Sequence, residues 1–423
     1  MIIKDKVDIH LEDKRRSRVF FLFIWLMYAV VYMTRNCFSL AMAQIVATGI
    51  FTKSQTGLLS SVFYLVYAPL QIPGGMLADK YSPEKFIKIG LVGAAAANIV
   101  IFFTHNYYVM LFVWIFNAVI QAPIWPSVFK IVSSQLVRSD RKQMVFLTSF
   151  SSSFGLALGY AVAAFIPSWE YNFLVSVVVL LVCVIVLHIF CKNLDPYMKP
   201  DKNEENKNSN AVKNDISAVK LFAISGFFLL LPGVLLRTMM EIGIKTFSPT
   251  MLMESYSNIS ASTGNLLNVL IILSSILGTL IVKFLLYPRI IKNEPFGICL
   301  MLVLALPFAF LLKMLGDIPV SYAVISLCVM SVVLTAANIL LSYFTLYFVP
   351  YRKNGLASGI SNSASSFGVV LESYGFMRIA ENSSWNAVTM LWIIMLIIAV
   401  VFTVFAIPFS INFKKKTMAG ENK

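Results

Sequence analysis

The stretch Lys192–Lys220, KNLDPYMKPDKNEENKNSNAVKNDISAVK, divides this chain into two apolar halves. It is rich in lysine and asparagine and nearly free of apolar residues, a composition that cannot bury a core and is typical of a flexible linker. We therefore predict three parts, a first bundle over 1–191, a cytoplasmic linker over 192–219 and a second bundle over 220–423.

The two halves have the composition of a membrane protein. The chain is 58% apolar with a mean hydropathy of +0.80, whereas soluble domains are about 45–50% apolar. A spanning helix needs about 20 mostly apolar residues. The candidate segments are 19–48, 54–78, 86–104, 107–134, 143–166, 169–191, 221–252, 262–286, 295–315, 318–348, 354–376 and 385–411. We predict an all-α, multi-pass protein with twelve transmembrane helices in two six-helix bundles, the layout of rocking transporters.

The net charge of +14 is explained by the membrane topology and not by binding to a nucleic acid. With the N-terminus inside, all Lys and Arg residues lie at cytoplasmic ends of the segments except Lys53, Lys313, Arg378, Arg35, Arg237 and Lys245. This asymmetry is the positive-inside rule and predicts that both termini are cytoplasmic. Lysines facing anionic lipid explain the charge, so the lipid bilayer is the expected partner and nucleic acid is not.

Arg35 is the strongest functional signal, because it lies inside the apolar run Phe20–Ile50. An arginine at mid-membrane costs roughly 2.5–3.5 kcal/mol and usually has a partner or a task. Arg237 occupies a similar place in the second half, which predicts a central site for a small anion. Tyr28 and Tyr32 precede Arg35 by seven and three residues and share its helix face, so they either line that site or serve in packing.

The charges of the seventh segment leave two interpretations open. Arg237, Glu241 and Lys245 are spaced by four and share a helix face. Arg237 and Lys245 either bind the anion or are neutralised by Glu241. Arg35 could likewise form a structural ion pair with Glu241 or with Glu372.

The turn after the second segment resembles the major facilitator superfamily. It reads Gly74-Gly75-Met-Leu-Ala-Asp79-Lys80-Tyr-Ser-Pro-Glu-Lys85. The resemblance implies a gating contact through Gly75, Asp79, Lys80 and Lys85, in which glycine permits close helix packing and Asp79 binds cations or a helix N-terminus. A solvated turn is the alternative.

Other motifs resemble the organophosphate:phosphate antiporters within that superfamily. They are Tyr28-x3-Tyr32-x2-Arg35, then Tyr67, then Gln121-Ala-Pro-Ile-Trp125-Pro126, then Phe247-Ser-Pro-Thr250. The likeness implies a phosphate-binding Arg35 and cavity positions at Tyr67, Gln121 and Trp125, although Trp125 also suits a helix kink. Glu241 stands where the family has its second arginine, and the family's helix-5 histidine is replaced by Ser152 or Ser153.

Residues 54–75 also resemble the second helix of anion:cation symporters. Those proteins carry proton-accepting acids where this chain has Thr34 and Gln121, which cannot titrate. If transport is coupled to protons, the candidates are Glu241 and Glu372.

An enzyme is not expected. His10, His105 and His188 are scattered, the five cysteines lack metal-ligand spacing, and no P-loop is present, so we predict no metal and no cofactor. We expect a monomeric secondary transporter of a small organic anion, a phosphate ester or sugar acid, in the bacterial inner membrane. A membrane sensor of an external anion and a proton-coupled carboxylate symporter are the alternatives.

Overall fold

The computed structural model describes residues 9–80, 82–137, 139–148, 150–200, 217–287, 289–348, 351 and 353–420. Sixteen α-helices are found in these ranges, together with two three-residue strands. The helices are α1 (Lys14–Arg35), α2 (Cys37–Thr48), α3 (Lys53–Lys80), α4 (Pro83–Phe103), α5 (Tyr107–Gln121), α6 (Ile124–Lys130), α7 (Arg141–Thr148), α8 (Ser151–Ala163), α9 (Tyr171–Leu194), α10 (Ala218–Ile224), α11 (Phe227–Ser255), α12 (Ala261–Ile281), α13 (Glu294–Leu312), α14 (Val320–Thr345), α15 (Asn354–Asn382) and α16 (Trp385–Gly420). The strands are β1 (Ile9–Leu11) and β2 (Met198–Pro200).

Ten helical stretches of the described chain are long and apolar enough to cross a membrane. α3 and α15 are not among them, although they are 28 and 29 residues long and match the predicted segments 54–78 and 354–376. Both are rich in serine and glycine, which lowers their hydropathy. The helical character of the chain is confirmed, and the number of twelve crossings stays a prediction.

Four of the segments predicted as continuous are interrupted. At Asn36 the side-chain amide donates to the carbonyl of Tyr32 at 2.6 Å, which competes with the helical backbone pattern where α1 ends. Pro123 lacks an N–H and separates α5 from α6. Gly226, with φ of +76°, separates α10 from α11 in a conformation that favours glycine. A further interruption divides the segment 143–166 into α7 and α8.

The first residues of the predicted linker, 192–219, have regular secondary structure. α9 continues to Leu194, and β2 then pairs antiparallel with β1, with His10 opposite Lys199. β2 forms by pairing with β1, which lies almost 190 residues earlier in the chain, so the local composition could not predict the strand. Residues 201–216 of the predicted linker lie outside the described residues.

The first compact unit comprises 1–45 and 62–210. α1, α4, α6 and α9 enclose its core, which includes Phe20, Ile24, Leu91, Ile124 and Leu187. α8 approaches α1 closely at Gly155, where an added Cβ would lie 2.1 Å from the carbonyl oxygen of Ala29. Small residues at such crossings are typical of membrane helix packing.

The second unit comprises 46–61 and 211–423, with α11 packed against α12, α14, α15 and α16. Gly278 permits the contact of α12 with α14, since an added Cβ would lie 2.2 Å from the carbonyl oxygen of Val332. The segment 46–61 is held by polar contacts within this unit. Lys53 Nζ lies 2.6 Å from Glu254 Oε2, and the backbone N–H of Ser54 donates to Glu381 Oε2 at 2.9 Å.

Candidate functional site

Arg35 is the last residue of α1 and is enclosed by aromatic rings. Its side chain is buried, with only 3% of the residue exposed. The guanidinium carbon lies 5.6 Å from the ring centre of Tyr28, two turns back on α1, and 5.4 Å from that of Tyr32, one turn back. From α3, Phe63 lies at 5.9 Å and Tyr67 at 4.8 Å. Cation–π attraction from these rings stabilises a buried cation without neutralising it.

One hydrogen bond orients the Arg35 guanidinium. Nη1 donates to the phenol oxygen of Tyr67 at 3.0 Å, whereas Nε and Nη2 have no hydrogen-bond partner within the described chain. Nε and Nη2 form one edge of the planar group, and their N–H bonds run parallel, the arrangement that grips a carboxylate or phosphate with two bonds. Within the described residues, no carboxylate forms an ion pair with Arg35.

Of the other predicted side chains of the first half, Trp125 contacts the aromatic shell, and Gln121 has its hydrogen-bond partner outside it. Tyr28 contacts Trp125 of α6, with ring centres 4.8 Å apart. Trp125 is therefore an outer wall of the aromatic shell. Gln121 is buried at the end of α5 and donates to Asn117 Oδ1 at 2.8 Å.

The second unit contains a buried cluster of three charges on α11. Glu241 bridges two cations: Arg237 Nη1 donates to Oε2, and Lys245 Nζ donates to Oε1 at 2.7 Å. Thr335 of α14 also donates to Oε1, at 2.9 Å. All three charged residues are at least 90% buried. Glu241 therefore neutralises one of the two positive charges and leaves the cluster at net +1.

Arg237 has further partners that hold it in place. Its Nη2 donates to Thr238 Oγ1 at 2.7 Å and to Asn338 Oδ1 at 3.2 Å, while Nη1 also donates to the carbonyl of Leu334 at 3.3 Å. Its donors are thus far more occupied than those of Arg35. This geometry favours the interpretation of Arg237 as a member of a structural network.

Glu372 of α15, the second candidate for coupling, belongs to neither cation cluster. It is fully buried, and its described polar contact is with Ser373 Oγ at 2.9 Å from Oε1. Oε2 has no hydrogen-bond partner in the described part of the chain.

The predicted gating residues are only partly described. The backbone of Gly75, Asp79 and Lys80 forms the end of α3, and their side chains lie outside the described residues. Lys85 is exposed in the first turn of α4. The gating role stays a prediction. The described chain also holds no group of three or more His, Cys, Asp or Glu that could bind a metal ion.

Sequence reasoning missed Phe63 and Thr335 as site residues. Phe63 precedes Tyr67 by one helical turn, so the helical period could have placed it on the same face. Thr335 lies three residues before Asn338 on α14, but only the packing of α14 against α11 brings it to Glu241.

Ten apolar helical stretches of spanning length in the described chain, packed in two units, define a multi-pass membrane protein. Residues 24–373 match the model of the Major Facilitator Superfamily, and the chain belongs to this family. The predicted resemblance is thereby confirmed. The family is one of transporters, so the chain is not classed as an enzyme.

Named relatives match over about a third of the chain. The chain is 30% identical over 140 residues to the membrane sensor protein UhpC of Salmonella typhimurium, which covers 33% of this chain and 32% of that protein. It is 31% identical over 145 residues to a probable hexose phosphate transport protein of Chlamydia trachomatis (34% and 31%). It is 28% identical over 133 residues to a phosphoglycerate transporter protein of Salmonella typhimurium (31% and 28%). The matched stretch thus spans about a third of each relative.

Solved structures share the fold over nearly the whole chain. An inward-facing, occupied bacterial homologue of the human lysosomal transporter Spinster superposes with a TM-score of 0.72 at 14% identity, over 95% of this chain and 98% of that one. A D-xylose–proton symporter gives a TM-score of 0.68 at 14% identity, over 94% and 98%. At such identities the likeness concerns the fold alone.

Proposed function

We propose that this protein is a secondary active transporter that moves a small organic anion by alternating access, with Arg35 as its main anion-binding residue. The observation that carries the proposal is the buried edge of Arg35, whose Nε and Nη2 lack partners in the described chain. A buried cation with two parallel unused donors is suited to a bidentate oxyanion. The aromatic shell excludes water, which strengthens such bonds.

A phosphate ester is the first choice of substrate, and a sugar acid is the second. Two relatives are named for hexose phosphate and phosphoglycerate transport, which supports the first choice. Tyr28, Tyr32 and Tyr67 add phenol groups that can donate to phosphate oxygens. Arg237 and Lys245 are the weaker candidates for anion binding, because Glu241 accepts from both.

The proposed architecture has twelve transmembrane helices with both termini in the cytoplasm. The bundles comprise 1–191 and 220–423, joined by the linker 192–219. The protein acts as a monomer in the bacterial inner membrane. Gly75, Asp79, Lys80 and Lys85 form the gating contact. The positive-inside distribution of lysine and arginine supports this orientation.

Arg35→Lys tests the proposal. Lysine keeps the charge but cannot present two parallel donors, so folding should be preserved while anion binding weakens by about 1.5–3 kcal/mol, roughly ten- to a hundredfold and more in affinity. Binding is measured by thermal shift with glucose 6-phosphate, glycerol 3-phosphate, gluconate and inorganic phosphate. Arg378→Lys, at an arginine whose side chain is 52% exposed, is the matched control. A stable Arg35→Lys protein with unchanged affinity would refute the role of Arg35.

A second candidate function is a transporter-like sensor. The match to the membrane sensor protein UhpC supports it. Counterflow of a bound anion in proteoliposomes distinguishes the two functions, because a transporter exchanges the anion across the membrane. Binding without counterflow would favour the sensor.

A further inference from the structure

We propose that Glu372 carries the proton that drives accumulation of the anion. This inference rests on the proposed transport function and assigns its coupling group. The sequence left Glu241 and Glu372 as candidates, and their surroundings in the second unit distinguish them.

Glu241 is unsuited to exchange a proton. Arg237, Lys245 and Thr335 all donate to its two oxygens, so its ionised form is held by three bonds. Protonation would break at least one of these bonds and leave two buried cations without their counter-ion. The cost of such an uncompensated charge is several kcal/mol.

Glu372 has the opposite environment. Its carboxyl group is fully buried on α15, and none of the described ion pairs includes it. The charged groups of α11, which packs against α15, are engaged elsewhere: Glu241 binds Arg237 and Lys245, and Glu254 binds Lys53 of α3. Of the other helices that contact α15, α14 has no Asp, Glu, Lys or Arg, and Lys414 of α16 binds Glu294. On α15 itself, Arg378 pairs with Glu381 at 4.0 Å. An ionised carboxylate buried without such a partner is strongly disfavoured.

The hydroxyl of Ser373 indicates where the proton lies. Ser373 Oγ is 3.1 Å from the carbonyl oxygen of Val369 and 2.9 Å from Glu372 Oε1. A serine hydroxyl has one proton and a carbonyl can only accept. Both contacts are satisfied together when the serine donates to Val369 and accepts from a protonated Glu372. The hydrogen bonds of Ser373 therefore fit a protonated, neutral Glu372.

The remaining oxygen of Glu372 faces the backbone of α11. A Cβ added at Gly243 would lie 3.3 Å from Oε2 and 2.9 Å from a ring carbon of Phe376. Because Gly243 has no side chain, it leaves space for this oxygen. Gly243 lies between Glu241 and Lys245 in the sequence of α11. No donor of the described chain reaches Oε2. This favours the neutral form as long as α11 and α15 stay packed.

The coupling step follows from this arrangement. The O–H bond of Glu372 forms with a proton from water on one side of the membrane and breaks with release of that proton to water on the other side. No electrons are transferred, and one proton crosses for each anion carried. The ionised form is reached only when water has access to α15.

Glu372→Gln tests the step, because glutamine keeps the shape of the neutral acid but cannot release a proton. In proteoliposomes with glucose 6-phosphate and clamped membrane potential, the wild type should accumulate the anion about tenfold for a gradient of one pH unit. Glu372→Gln should equilibrate it without accumulation while retaining counterflow. Asp317→Asn, in the turn between α13 and α14, should behave as the wild type. Accumulation by Glu372→Gln at the wild-type ratio would overturn the proposal.

An infrared difference spectrum between wild type and Glu372→Gln provides a readout that needs no substrate. At neutral pH we expect the carbonyl band of a protonated carboxylic acid to be lost in the variant. Loss of carboxylate bands instead would show an ionised Glu372 and overturn the proposal. Absence of both binding and flux in the wild type would refute the transport function itself, and the infrared result would still decide whether Glu372 holds a proton. Wild-type flux that does not depend on the pH gradient would refute only the proton-coupling role of Glu372.

Discussion

Tyr67 determines which edge of the Arg35 guanidinium stays available. Its phenol oxygen accepts from Nη1 at 3.0 Å, so the Nε and Nη2 edge is left for another acceptor. The cation of α1 and the phenol of α3 thus form one oriented unit within the aromatic shell.

Tyr67→Phe should weaken anion binding without loss of fold. The ring and its cation–π contact remain, but the bond that orients the guanidinium is lost, at a cost of about 1–2 kcal/mol, roughly five- to thirtyfold in affinity. Titration with glucose 6-phosphate measures the change. Tyr64→Phe is the control, because Tyr64 donates to Asn36 Oδ1 at 2.8 Å rather than to Arg35. Equal affinities of the two variants would contradict the orienting role of Tyr67.

Glu241→Gln should destabilise the protein and increase its response to anions. Removal of the bridging charge leaves Arg237 and Lys245 buried without a counter-ion, which costs about 3–5 kcal/mol. Thermal unfolding in detergent should show a lower midpoint and a larger upward shift with added phosphate ester. Adding Lys245→Met to this variant should restore part of the stability, because only one cation then remains. If Glu241→Gln alone were as stable as the wild type, Glu241 would not be the residue that stabilises the cluster.

Gly155→Ala should separate α8 from α1. The new Cβ would lie 2.1 Å from the carbonyl oxygen of Ala29, a backbone atom that cannot turn aside. Overpacking of this kind costs about 1–3 kcal/mol. Gly375→Ala is the control, since an added Cβ there meets no atom within 4 Å. If both variants unfold at the wild-type midpoint, the close contact is not required for stability.

Asp79→Asn should slow transport while leaving binding almost intact. The resemblance of the turn after α3 to the superfamily motif implies a contact that holds one conformation, far from the anion site. Counterflow rates and equilibrium binding of the same anion measure the two effects separately. Full-rate transport would refute the gating role, and so would complete loss of binding.

Much of the fold could be predicted because its causes are local. Apolar runs of spanning length, separated by polar turns, indicate helices irrespective of what surrounds them. The interruption at Gly226 and the strand pairing of His10 with Lys199 could not be predicted in this way. A backbone turn and a distant strand partner depend on packing rather than on composition.

The membrane class and the presence of Arg35, Arg237, Glu241 and Lys245 in apolar segments could be read from the sequence alone. Helical spacing also determined that Glu241 lies within reach of both neighbouring cations. Contacts between helices determine how many donor groups of each cation remain without a hydrogen-bond partner. Tyr67 occupies one nitrogen of Arg35, whereas Asn338 and Leu334 occupy those of Arg237. These partners lie on other helices, so the spacing of residues along one helix does not reveal them.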